Sequence, residues 1–123
     1  VKIAPLFKVR DMTKAIIHYT GILDFAFKYP GSSIEDGVVT LVNGDAELQL
    51  TTHESDYLFG SVANIWVDEV DNLFKKYLGR GLDTSAKKGS PVHTGPTDQS
   101  WGNREFYVTD ADGNTLRFCT PIK

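Results

Sequence analysis

The chain repeats itself, and the repeat restricts its folding more than any other feature. Val9, Asp11, Met12, Ile16, Tyr19 and Gly21 align with Val67, Glu69, Val70, Phe74, Tyr77 and Gly79, each pair 58 positions apart. Each copy reads as a strand, an acidic helix start, an amphipathic helix and a glycine. A second echo matches Glu47-Leu48-Gln49-Leu50 with Thr115-Leu116-Arg117-Phe118, each after a turn of Asn, Asp and Gly. A duplication of this kind implies two similar half-domains, with the space between them as the expected binding site.

The elements follow from periodicity. Ile3 to Val9 alternates as a strand. Asp11 can cap a helix whose stripe is Met12, Ala15, Ile16, Tyr19 and Leu23. Tyr29 to Ser33 is a loop, Val38 to Val42 a strand, Asn43-Gly44 a hairpin turn and Ala46 to Thr51 the return strand. This first module, about residues 1–52, is βαβββ-like, and 52–60 reads as a linker. The second module, about 61–123, has a strand over Val62–Val67. Its helix faces the core with Val70, Leu73, Phe74, Tyr77 and Leu78, and Gly79 and Gly81 can end it. A long polar loop covers about 86–100. Strands over Glu105–Thr109 and Thr115–Cys119 flank the turn Asp110-Ala111-Asp112-Gly113-Asn114.

The expected fold is therefore α+β. Two tandem βαβββ modules form a cupped mixed sheet with helices on its outer face, as a single domain over 1–123. A chain of 123 residues can bury roughly two-thirds of the surface that its unfolded form exposes. Strand alternation puts Phe7, Leu48, Leu50, Ala63, Ile65, Leu116 and Phe118 under the helices. The opposite face receives Ala4, Leu6, Lys8, Glu47, Gln49, Thr51, Val62, Asn64, Trp66, Thr115, Arg117 and Cys119. That face reads either as a ligand surface or as an ordinary solvated sheet, and Trp66 at its middle favours the first.

Charge and cysteine content narrow the function classes. A net charge of −3 and a pI near 5.5 argue against a nucleic-acid partner. No apolar run approaches the roughly 18 residues of a membrane span, and no signal-peptide pattern opens the sequence. The single cysteine, Cys119, rules out an internal disulfide and a CxxC metal site, and cytoplasm is the expected setting. Nucleotide-binding glycine loops and a GxSxG nucleophile motif are missing.

Several stretches point to one family. They are Lys8-Val9-Arg10-Asp11, Ile65-Trp66-Val67, Val70-Asp71-Asn72-Leu73 and above all Trp101-Gly102-Asn103-Arg104-Glu105-Phe106 followed by Asp110-Ala111-Asp112-Gly113-Asn114. With these the chain resembles the vicinal oxygen chelate superfamily, which holds glyoxalase I, extradiol dioxygenases, fosfomycin-resistance enzymes and bleomycin-resistance proteins. The W-G-x-R-E-F and D-x-x-G-N patterns are similar to the bleomycin-binding branch.

Enzymes of this superfamily usually hold one divalent metal with His and Glu from four equivalent strand positions. The resemblance places those positions at Ala4, Gln49, Val62 and Arg117. None is a histidine or a carboxylate, so no metal and no cofactor is expected. His18, His53 and His93 form no HxH or HxxxH pair, although a loop site at His53 and ligand contact at His93 stay open. Cys119 reads as a small apolar residue.

By resemblance the chain is then not an enzyme but a binder that sequesters bleomycin-type glycopeptides, or another flat aromatic compound, without turnover. The resemblance also implies a homodimer, often with an exchanged N-terminal strand. The expected ligand contacts are Trp101, Gly102, Trp66, Tyr29, Thr51, Gln49, Asn64 and Arg117. Bleomycins are cationic and the family's grooves tend to be acidic. Here Lys28 and Ile17 fall where related sequences carry acids, and Lys8 and Arg117 add positive charge. Glu35, Asp36, Asp45 and Glu47 are the residues expected to restore negative potential. Two alternatives stay open: a metal-dependent lyase, dioxygenase or thiol transferase with unusual ligands, and a small sensor or immunity domain.

Overall fold

The computed structural model describes residues 1–56, 58–85 and 90–123. It divides into two compact units, Val1–Ser61 with Asp110–Asn114, and Val62–Thr109 with Thr115–Lys123. The fold is α+β, and each unit is a βαβββ module with its own four-stranded mixed sheet.

In the first unit the strands are β1 (Leu6–Lys8), β2 (Ala26–Phe27), β3 (Val38–Asn43) and β4 (Ala46–Thr51), in the spatial order β1-β4-β3-β2. Strand β1 runs parallel to β4, and the other pairs are antiparallel. The hairpin turn is Gly44-Asp45, one residue later than expected, because Asn43 still pairs with Ala46; Gly44 takes a φ of +57° that favours glycine. Asp11 caps helix α1 (Met12–Ile16) by accepting the amide of Lys14 at 3.0 Å. The helix continues as a π-helical segment over Ile17–Ile22. Its expected stripe holds: Met12, Ala15, Ile16, Tyr19 and Leu23 are all buried, with Phe7, Leu48 and Leu50. Tyr19 meets Phe7 and Phe25 at ring-centre distances of 6.4 and 6.1 Å.

The second unit has β5 (Val62–Trp66), β6 (Thr97–Asp98), β7 (Asn103–Thr109) and β8 (Thr115–Pro121), in the order β5-β8-β7-β6. Glu69 caps helix α2 (Val70–Gly79) through the amides of Asp71 and Asn72 at 2.8 and 2.7 Å. The two acidic caps, Asp11 and Glu69, are repeat equivalents, as are the buried pairs Met12 and Val70, Ile16 and Phe74, and Tyr19 and Tyr77. Helix α2 packs on β7 and β8. Beneath it Phe106 stacks on Phe118 at 4.8 Å and 9°, with Phe74 and Tyr77 edge-on to Phe106.

Some sequence readings need correction. Strand β1 covers three residues rather than Ile3 to Val9, and Pro5, with no N–H to donate, ends the ladder just before it. Leu78 is 42% exposed, because α2 is finishing there and its apolar stripe has run past the sheet. The helix end needs no correction: Gly79 is the last residue of α2, and Gly81, at a φ of +93°, closes it with its amide on Leu78 O at 3.0 Å and that of Leu82 on Tyr77 O at 3.1 Å. The loop expected over about 86–100 contains a 3₁₀ turn (Pro91–His93) and strand β6 among its described residues; positions 86–89 lie outside them. Ala63 and Ile65 are half-buried on edge strand β5, while Thr51 and Cys119 are buried although their parity is that of the opposite face.

The turn Asp110–Asn114 is grouped with the first unit, and its bonds explain why. Tyr19 donates its hydroxyl to Asp110 Oδ2 at 2.7 Å, and Arg10 pairs with Asp112 at 2.8 Å. Asn114 is fully buried. Its amide donates to Lys8 O at 2.8 Å and accepts the Ser61 N–H at 3.0 Å.

Candidate functional site

Register decides which side chains share a face. On the sheet face of the second unit away from α2, Asn64 pairs with Arg117 and Trp66 with Cys119. Strand β7 adds Glu105 opposite Cys119, Tyr107 opposite Arg117 and Thr109 opposite Thr115. Trp101 and Gly102 stand at the turn that leads from β6 into β7.

That turn is built locally. Gln99 donates its amide to Asn103 O at 2.7 Å, and Gly102 donates to Gln99 O at 3.1 Å. Gly102 adopts a φ of +94°, where a side chain is strained, and its carbonyl accepts the amide of Ile122 at 2.9 Å. The turn leaves Trp101 58% exposed. An indole has one donor, and here Nε1–H goes to Glu105 Oε2 at 3.0 Å.

Glu105 is only 2% exposed. Its Oε2 also accepts Asn103 Nδ2 at 3.3 Å, and its Oε1 accepts the Tyr107 hydroxyl at 3.1 Å. Arg117 Nη2 lies 3.7 Å from Oε1 and bonds the Tyr107 hydroxyl, and its guanidinium sits 4.5 Å from the Tyr107 ring centre. Burial pushes the Glu105 carboxyl upward, but the donors from Trp101, Cys119, Asn103 and Tyr107 outweigh it and hold the group below its usual range. Glu105 is thus an anion at neutral pH. Burial, with the neighbouring Glu105 charge, pushes the Cys119 thiol up to about 12. At neutral pH that thiol is protonated and is not a nucleophile.

The W-G-x-R-E-F stretch divides its work between two faces. Trp101 and Glu105 serve the polar face. Arg104 and Phe106 serve the helix side, where Arg104 forks onto Asp71 at 2.9 and 3.0 Å and reaches Asp98 at 3.0 Å. The hydrogen bonds from Arg104 hold the Asp71 carboxyl below its ordinary value. Such an exposed pair adds little stability but fixes the start of α2 against β7.

The structure gathers five of the expected contacts, Trp101, Gly102, Trp66, Asn64 and Arg117, on or beside this one sheet face. Trp66 is 61% exposed on the edge strand. Tyr29, Gln49 and Thr51 belong to the first unit. Tyr29 is exposed, with Lys28 Nζ 5.5 Å from its ring centre, and Gln49 donates to Thr40 Oγ1 at 3.4 Å. The hydroxyl of Thr51 is committed to the fold: it donates to Asp56 at 2.7 Å and accepts the His53 amide at 3.1 Å. Beside it lies a recess of about 280 Å³ lined by Leu6, Lys8, Thr51, Ser55, Asp56, Leu58 and Ser61.

Glu105 and Tyr107 are the residues that sequence reasoning undervalued. Neither is among the ligand contacts expected from the sequence, where Glu105 figures as part of the W-G-x-R-E-F motif. The alternation that assigned Thr115, Arg117 and Cys119 to the polar face, extended to β7, places both beside them. His93 has both ring nitrogens engaged, with Ser90 Oγ and Thr109 Oγ1 at 2.8 Å each.

The expectation that Glu47 supplies free negative potential is corrected. Lys2 and Lys28 pair with its Oε1 at 2.8 and 2.6 Å, and their hydrogen bonds lower its pKa. Its charge is matched twice over: Lys2 reaches it from the segment before β1, and Lys28 from the end of β2, across β3.

The superfamily's metal does not fit the donors present. Ala4 and Val62 carry no donor atom. Gln49 offers a neutral amide, and Arg117 is a permanent cation already bound to Tyr107. Among the described residues no three His, Cys, Asp or Glu side chains gather into a metal-holding group. Among the same residues no helix is long and apolar enough to cross a membrane.

Comparison with known proteins identifies the fold and the family. A search of curated proteins found no match. Among solved structures, a bleomycin-binding protein complexed with bleomycin is 20% identical, with 98% of both chains covered and a TM-score of 0.75. A bleomycin resistance determinant encoded on transposon Tn5 is 20% identical over 98% of both chains, with a TM-score of 0.70. TioX from Micromonospora sp. ML1 is 17% identical over 99% of this chain and 100% of its own, at 0.75. These likenesses show a shared fold. A family model spans residues 5–118, nearly the whole sequence and both copies of the repeat, and by it the chain belongs to the Glyoxalase/Bleomycin resistance protein/Dioxygenase superfamily.

Proposed function

We propose that this protein binds a flat aromatic ligand of the bleomycin type and sequesters it without chemical turnover. The observation that carries this reading is the exposed Trp101 ring, held at a glycine turn beside a face of Asn64, Trp66 and Arg117. A large rigid indole exposed to solvent can stack on a heteroaromatic ring, and the polar groups around it can orient the ligand. Tyr29 and Gln49 remain proposed as ligand contacts; Thr51 is fully buried, with its hydroxyl bonded to Asp56 and the His53 amide, and is withdrawn from the set. The cytoplasm is the proposed setting.

Two observations favour binding over catalysis. The four positions where the superfamily's enzymes carry metal ligands hold no His or carboxylate. The Cys119 thiol is protonated at neutral pH, which removes the nearest nucleophile.

The test is a calorimetric titration with bleomycin, with and without copper. Binding at or below tens of micromolar, with the drug recovered intact, is the expected result; no heat at that concentration refutes the reading. Trp101→Ala should weaken binding by roughly 1–3 kcal/mol.

Dimerisation by exchange of the N-terminal strand belongs to the same proposal. Strand β1 is a three-residue edge, and the segment before it exposes Val1 and Ile3, apolar side chains that a partner chain can cover. Sedimentation equilibrium at micromolar concentration should give twice the chain mass of 13.6 kDa. A species of the single chain mass would contradict it.

A further inference from the structure

Glu105 is an unusual use of a carboxylate. A buried anion is costly, and an apolar residue of similar volume often serves a core as well or better. Here the anion is kept, and the group at the surface that it holds is the exposed indole of Trp101. An indole N–H at a solvent-facing turn can be satisfied by water, so the bond is not needed to avoid an orphaned donor. The bond does fix the ring: with Nε1 tied to Oε2 and the backbone set by Gly102, the indole loses its freedom to turn about its side-chain bonds. The carboxylate is itself immobile, since Asn103, Tyr107 and Arg117 hold both its oxygens. A charged acceptor on the indole N–H also increases electron density on the ring face, which strengthens attraction to electron-poor or cationic rings.

We propose that Glu105 is the positioning residue of the Trp101 stack. It sets the plane of the indole before the ligand arrives and tunes the exposed ring toward electron-poor heteroaromatic or cationic aromatic rings. The proposal rests on the reading of Trp101 as the ligand stack, and it names the class of ring that the stack selects. Preorganisation of this kind raises affinity by removing the cost of ordering a side chain on binding.

The experiment uses ¹⁵N-labelled full chain and two variants. Glu105→Gln keeps an acceptor oxygen and loses the charge. Glu105→Asp keeps the charge and withdraws it by one methylene. The indole N–H resonance of Trp101, identified by its loss in Trp101→Ala, is expected downfield in the wild type and upfield in both variants, while that of Trp66 stays in place. Bleomycin affinity is expected to fall roughly three- to tenfold in each. Near-ultraviolet circular dichroism and the backbone amide spectrum establish that the variants are folded; should one fail to fold, the other decides. An unmoved Trp101 resonance in a folded variant overturns the proposal. So does a moved resonance with unchanged affinity. Absence of bleomycin binding by the wild type refutes the proposed function, and the resonance then decides alone whether Glu105 positions the indole.

Discussion

Asn114→Ala is expected to lower the free energy of unfolding by about 2–4 kcal/mol, read as a shift in the urea midpoint with unchanged slope. The side chain is fully buried and makes three bonds. It donates to Lys8 O and to Asp110 Oδ2, and it accepts from Ser61 N. Truncation leaves the Lys8 carbonyl and the Ser61 amide without these partners, at about 1–3 kcal/mol each where water cannot replace them. Both ends of that clamp matter: Lys8 closes β1, and Ser61 precedes β5. The turn itself stays anchored by Tyr19, whose hydroxyl is held far above its ordinary pKa by burial and by Asp110. Asn114→Asp is the informative companion. It keeps the shape and the acceptor for Ser61 but cannot donate to Lys8, and its charge faces Asp110. It should cost at least as much as alanine at neutral pH. If both variants unfold with the wild type, the clamp is not what joins this turn to the first unit.

The repeat was legible because both copies use the same physics. An acidic residue caps each helix, and the stripes from Met12 and from Val70 recur at helical spacing, so burial could be assigned before any contact was known. Leu78 escaped that logic because periodicity says which side a residue faces, not where the underlying sheet ends. Strands β2 and β6 were invisible for a different reason. Two residues carry no alternation, and only pairing with β3 and β7 makes them strands. Within the site, Trp101 and Gly102 were legible as a motif. Glu105 was not, because a carboxylate is read as surface by default, and its burial depends on the Tyr107 hydroxyl and the Arg117 charge that register brings beside it. Thr51 shows the same limit from the other side. Its parity was right, but the loop after it folds back and takes its hydroxyl, which alternation along a strand cannot foresee.

The same strand that carries Glu105 also carries the centre of the second unit's core, and this ties stability to the site. Phe106→Ala is expected to destabilise by about 3–5 kcal/mol, with a fall in melting temperature on the order of 15 °C. Phe106 is fully buried, stacked on Phe118 and edge-on to Phe74 and Tyr77. Alanine removes the ring at the middle of that cluster and leaves a cavity that three aromatic neighbours cannot fill without leaving their rotamers. A domain of this size has roughly 5–15 kcal/mol to lose, so the variant is expected to stay folded at low temperature but with a small margin. Phe106→Leu, which refills much of the volume, should cost less than half as much. Alternation separates the two faces of β7, so Phe106 lies on the core side under α2, while Glu105 and Tyr107 on either side of it lie on the face of the proposed site. Bleomycin affinity of the alanine variant, measured well below its melting temperature, should therefore fall by a smaller factor than its folding constant. An affinity loss as large as the stability loss would mean that the Trp101 turn depends on the aromatic core beneath β7 rather than on Glu105.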